Sequence, residues 1–205
     1  MNPRDCTPIM LTVLLLGTLG VKSWAADSWP QLQGSAARSG DVADEVLPES
    51  LGLAGTVALS DGIYASPVVS DGTAYVIDGS GIVFAIDLAT LKVRWKFATE
   101  GGPGNCNNVA APAVAGEFLH VGTTAGYYYV IDRENGDVVK RLDFAEPVFS
   151  APAVGNDRVY VATLGARVFA LEPDGTEVWT WDFVKEVVDF HGNRWSGADW
   201  LAHRK

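Results

Sequence analysis

Three variants of one short word run through the chain: Ser66-Pro67-Val68-Val69, Ala111-Pro112-Ala113-Val114 and Ala151-Pro152-Ala153-Val154. Their prolines lie 45 residues (67 to 112) and 40 residues (112 to 152) apart. Each is followed at a fixed distance by the same kind of pair, Tyr75-Val76, His120-Val121 and Tyr160-Val161. Further on, an apolar pair ends in an acid: Ala85-Ile86-Asp87, Val130-Ile131-Asp132 and Ala170-Leu171-Glu172. A last apolar stretch closes each unit, at 93–97, 138–144 and 178–183. A period of this length is that of a four-stranded propeller blade.

The residues between these landmarks agree with strands. TAYVID, IVFAID, YYYVID, RVYVAT and RVFALE are rich in β-branched and aromatic side chains. Asp71-Gly72, Asn156-Asp157, Asn135-Gly136 and Asp174-Gly175 separate them, and such pairs tolerate the positive φ of tight hairpins. The runs are apolar on both faces rather than cleanly alternating. A sheet with one wet face alternates, whereas a blade is covered on both sides by its neighbours. Each repeated proline opens a strand, where a missing N–H costs little. The word recurs because the blade recurs, and its small residues suit an innermost strand beside a crowded axis.

Around the repeat the chain divides into residues 1–25, a signal peptide; 26–183, the blades; and 184–205, a non-repeat tail read as the start of an insertion or a helical segment. The leader has Arg4, an apolar run from Ile9 to Leu19 that is short of the ~20 residues of a spanning helix, and small residues at Ser23 and Ala25 for cleavage. Its removal implies a periplasmic or secreted protein with no stable membrane insertion. Cys6 leaves with it and precedes the apolar run, so it is no lipid-anchor cysteine, and Cys106 is left without a disulfide partner. A formal net charge of −10 argues against a nucleic-acid partner.

The unit SPVVSDGTAYVIDGSGIVFAIDLATLKVRWKF resembles the pyrroloquinoline-quinone-type (PQQ-like) propeller repeat, down to Trp95 and Phe97 at its end. Trp179 and Phe183 match with altered spacing, and Lys140 replaces the Trp of the second unit. Trp29-Pro30-Gln31, with Gly34 and Gly40, is similar to the lead-in of these proteins. The resemblance covers residues 29–183 and implies an all-β, incomplete propeller of about three blades, with Leu53–Leu59 as one extra N-terminal strand. Known propellers close with about four to eight blades. The expectation is therefore the N-terminal part of a longer propeller, or arcs that self-associate through their open blade faces.

The family joins quinone-dependent alcohol dehydrogenases, whose enzymes need a quinone, a Ca²⁺ held by several oxygens and an Asp base, to the outer-membrane assembly propeller of Gram-negative bacteria. This sequence has no adjacent cysteine pair of the kind that caps the quinone, and no cluster of acids and amides suited to a hard cation. Gly101–Asn108 lacks the Gly-Lys-Ser/Thr of a phosphate loop and reads as a connection between blades. Cys106 reads as an inert thiol, Trp95 and Trp179 as blade-packing residues, and Lys140 and Arg141 as a solvated strand end. His120, His191 and His203 are too scattered for a metal or a triad. No residue is expected to be catalytic, to bind a cofactor or to hold a metal. The function expected is an exported binding or scaffolding module acting on an unknown protein or small-molecule ligand. A fragment of a quinone-dependent dehydrogenase, using PQQ and Ca²⁺, is the alternative.

Overall fold

The computed structural model describes residues 28–41, 49–50 and 52–204. The signal-peptide reading of residues 1–25 lies outside them. Three antiparallel four-stranded sheets follow one another in chain order. The first is β1 (Val68–Ser70), β2 (Thr73–Ile77), β3 (Ile82–Asp87) and β4 (Lys92–Ala98). The second is β5 (Ala113–Ala115), β6 (Phe118–Gly122), β7 (Tyr127–Asp132) and β8 (Val138–Asp143). The third is β9 (Ala153–Gly155), β10 (Arg158–Ala162), β11 (Arg167–Leu171) and β12 (Glu177–Asp182). Every strand pairs with the next one in sequence, as expected of propeller blades, and the innermost strands β1, β5 and β9 touch in series.

The turns form as their residues dictate. Asp71 and Gly72 have φ of 48° and 72°, and Asn156 and Asp157 have 52° and 55°. Two successive positive values are what a two-residue hairpin needs to match the strand twist. Blade faces are covered by neighbouring blades. Val68, Tyr75, Ile77 and Val83 of the first blade share one core with Leu119, Val121, Tyr129 and Ile131 of the second. Tyr128, Val130 and Phe144 share another with Val159, Val161, Phe169 and Leu171 of the third. The outermost strands β4, β8 and β12 are mostly exposed, and burial on both faces belongs to the inner strands of the first two blades, whereas in the third β9 has no buried residue and β10 alternates.

Docking between blades is polar as well as apolar. Tyr75 Oη and Trp95 Nε1 both donate to the Arg133 carbonyl in the next blade, at 3.2 and 3.1 Å. Gly136 sits so close to the Trp95 ring that an added Cβ would lie 2.8 Å from it. At the next seam His120 takes the Tyr position and places Nε2 2.9 Å from the Pro173 carbonyl. Trp95 is thus the packing residue its repeat position implies. Trp179 occupies the matching register position, opposite Ala170, but is exposed on the face turned away from the second blade.

Two expectations are corrected. Residues 52–59 form no strand, because no sheet edge lies beside them among the described residues; Val57 and Leu59 instead pack on the outer face of the first blade, against Val76, Phe84 and Ile86. The last strand ends at Asp182, not Phe183, because the Asp182 carboxylate accepts from the amides of Val184 and Lys185 and caps a helical turn. That turn, α1 (Phe183–Glu186), and α2 (Gly197–His203) make up the regular part of the tail. Neither helix has a buried residue, but Phe190 between them is buried and stacks on Trp200 at 3.9 Å. No helix among the described residues is long and apolar enough to cross a membrane.

The lead-in lies across the inner strands. The amide and carbonyl of Trp29 bond those of Val69, at 2.8 and 2.9 Å. The Pro30 carbonyl accepts from the Val114 amide at 2.7 Å. The Gln31 side chain donates to the Val154 carbonyl at 3.0 Å and accepts from its amide at 2.9 Å. Three consecutive residues therefore meet the second residue after the repeated proline in three consecutive blades. Gln31→Ala strips both partners from Val154 in a buried setting, and we expect a loss of about 2 kcal/mol in denaturant unfolding. An unchanged midpoint would show that the Gln31 bonds add nothing.

Candidate functional site

The β4–β5 connection lies on the seam between the first two blades. After a 3₁₀ turn at Gly102–Gly104, Asn105 and Asn108 turn inward. Asn105 Nδ2 donates to Thr99 Oγ1 at 2.6 Å, and Asn108 Nδ2 donates to Asn105 Oδ1 at 3.0 Å. Asn108 Oδ1 accepts from the Thr124 amide at 3.0 Å, which ties the loop to the second blade. The amide-rich composition of this loop therefore serves the seam. Asn105 and Asn108 satisfy buried backbone and hydroxyl groups that apolar residues would orphan.

Outside this polar layer lies a cleft of about 570 Å³ lined by Gly104, Cys106, Asn107, Val109, Thr124 and Phe149. Cys106 is exposed there, and its sulfur accepts from Asn107 Nδ2 at 3.8 Å. Val109 and Phe149 each stand three residues before a repeated proline, as Tyr64 does in the first unit. All three are exposed, Tyr64 at 58%, Val109 at 42% and Phe149 at 46%. Each leads into an innermost strand, so the repeat sets a row of apolar side chains along one end of the arc, beside its axis. This row was missed in the sequence, although its signal was available: one offset from the proline, apolar in every unit.

The seam between the second and third blades is charged. Glu146 is buried, accepts from Thr163 Oγ1 at 2.6 Å, and lies 3.1 Å from Arg167 Nε and 3.6 Å from Arg194 Nε. Arg194 also donates to Asp182 and to the Gly165 carbonyl. Sequence reading did not connect these residues, because nothing in local spacing relates a β8–β9 loop to the tail.

The remaining singled-out residues do not gather. His120 is buried between Tyr128 Oη at 3.1 Å and the Pro173 carbonyl, and burial pushes its pKa down to about 4. His191 is exposed and pairs with Asp189 at 3.0 Å. His203 meets the Phe190 ring edge-on at 5.3 Å. Lys140 reaches Thr176 Oγ1 at 3.3 Å, and the Arg141 guanidinium lies over the Tyr127 ring at 4.2 Å. Among the described residues no three His, Cys, Asp or Glu side chains are grouped as the ligands of a metal ion.

Comparison with known proteins places this arrangement. The sequence model of the family described as outer membrane protein assembly factor BamB matches residues 53–148 and again 108–188. The chain belongs to the PQQ-like repeat propeller family. The protein named outer membrane protein assembly factor BamB of Legionella pneumophila (strain Paris) is 26% identical over 121 residues, 55% of this chain and 30% of that one. Its namesake in Pseudomonas aeruginosa is 34% identical over 74 residues, 36% of this chain and 20% of that one. The matches thus span less than a third of these PQQ-like relatives. The crystal structure of quinohemoprotein alcohol dehydrogenase from Comamonas testosteroni superposes with a TM-score of 0.64 at 23% identity, covering 78% of this chain and 28% of that one. At that identity the likeness is one of PQQ-like fold, and a fold does not carry a function with it.

Proposed function

We propose that the chain is an exported, non-catalytic PQQ-like module that binds protein partners in the assembly of outer-membrane proteins, without a quinone or Ca²⁺. The observation that carries this reading is the exposed row Tyr64, Val109 and Phe149 beside the apolar cleft. Exposed apolar groups repeated in register at one end of a folded array mark a contact surface rather than a packing accident. The matched assembly factors support the choice of partner class. The exposed Trp179 and Trp181 on the third blade form a second apolar surface, the one through which copies would self-associate.

A photo-reactive phenylalanine analogue at position 149, introduced in the native host, should crosslink to cell-envelope proteins, while the same group at the exposed position 134 should not. Saturable binding of pyrroloquinoline quinone with Ca²⁺, with dye-linked alcohol oxidation and no adduct from position 149, would overturn the reading.

A further inference from the structure

The charged seam holds a site whose ligand is already in place. Arg194 presents all three guanidinium nitrogens to three separate elements: Nη2 to Asp182 at the end of β12, Nη1 to the Gly165 carbonyl in the β10–β11 turn, and Nε toward Glu146 in the β8–β9 loop. The side chains of Glu146, Asp182 and Arg194 are only 6%, 11% and 14% exposed. A planar fork with donors on each nitrogen fits such a divergent set, and an ammonium does not.

The acceptors are fixed without Arg194. Glu146 is held from the other side by Thr163 and Arg167, and Arg167 is itself anchored on the Phe144 carbonyl. Asp182 accepts from the two amides that begin α1. Gly165 leaves room for the carboxylate, since a Cβ there would lie 2.3 Å from it. The donor, by contrast, rides on the non-repeat tail. Arg194 is oriented by the tail's own small cluster, in which Trp200 Nε1 donates to the Arg194 carbonyl at 2.9 Å and Phe190 stacks on Trp200. The two tail helices bury no residue. A rigid receptor thus faces a guanidinium on a lightly attached arm.

We propose that this seam is an arginine-binding slot, built by Glu146, Asp182 and the Gly165 carbonyl, in which an arginine of a protein partner displaces Arg194 and frees the tail. The inference stands apart from the apolar row and does not need it. In the resting chain the slot is closed, because a tethered side chain has the advantage of high effective concentration. A partner arginine needs flanking contacts to win, and those contacts make the exchange selective.

The test uses the full chain and N-acetylarginine amide as probe, with N-acetyllysine amide as control, followed by calorimetry. Arg194→Ala should bind the arginine probe at least about tenfold more tightly than the unaltered chain does. The lysine probe should not bind, and Arg194→Ala combined with Glu146→Gln should lose the binding. Equal binding of the two probes, or binding that survives Glu146→Gln, overturns the slot. Should Arg194→Ala not fold, the unaltered chain decides. High concentrations of the arginine probe should speed amide exchange over residues 196–204, and lysine at the same ionic strength should not. Identical exchange with both probes overturns the proposal.

Discussion

Gly165→Ala should cost about 2–4 kcal/mol, more than any exposed single-methyl addition on this surface. The new Cβ would lie 2.3–2.4 Å from the Glu146 carboxylate atoms. The carboxylate cannot swing aside cheaply, because Thr163, Arg167 and Arg194 fasten it and its burial makes an unpaired charge expensive. The mechanism makes a second, sharper statement. In a chain already carrying Glu146→Ala the same glycine change meets no carboxylate, and its cost should fall below about 0.5 kcal/mol, so the two substitutions are strongly non-additive. Urea unfolding of the four members of that cycle measures the coupling directly. Additive effects would mean that the clash is not the cause.

His120 should make the protein acid-sensitive well above the range in which carboxylates titrate. Its imidazole is neutral in the fold, accepting from Tyr128 Oη at Nδ1 and donating from Nε2 to the Pro173 carbonyl across the seam. Burial disfavours the imidazolium and holds the pKa near about 4, against 6.5 for a free side chain. The unfolded chain therefore binds the proton first. Stability from this group is complete above pH 6.5, declines as pH falls toward 4, and is lost by about 3 kcal/mol below that. His120→Gln keeps a donor for Pro173 and an acceptor for Tyr128 but does not titrate. Its unfolding free energy should be flatter between pH 6.5 and pH 4. Parallel pH profiles for the two proteins would assign the acid sensitivity elsewhere.

These residues show where sequence reasoning reached and where it stopped. The proline word, the acid ending the third strand and the paired turn residues are local signals repeated in register, and they place the strands to within a residue or two. Trp95 could be read as a packing residue because its position recurs. Leu53–Leu59 misled because an apolar run states that something will cover it, not whether a sheet edge will be beside it. Val57 and Leu59 are indeed partly buried, against a blade face, without a ladder. The Glu146, Gly165, Asp182 and Arg194 group was out of reach for a different reason. Its members come from a loop, a turn, a strand end and the tail, and only the stacking of the third blade on the second brings them together. The row Tyr64, Val109 and Phe149 lay between these extremes, periodic in sequence but recognisable as a surface only once its exposure was known.

The contact of Trp29, Pro30 and Gln31 with Val69, Val114 and Val154 bears on how the protein comes apart. A linear array whose units touch only their neighbours can fray from either end, and its units can melt at different temperatures. Here the bond from Gln31 to Val154 closes a loop of 123 residues and joins the lead-in directly to the third blade. Losing the third blade then strips the bond of its partner, and losing the first removes the Val69 anchor that holds the strap in position. The strap thus couples the three blades, so that loosening one of them weakens the hold on the other two.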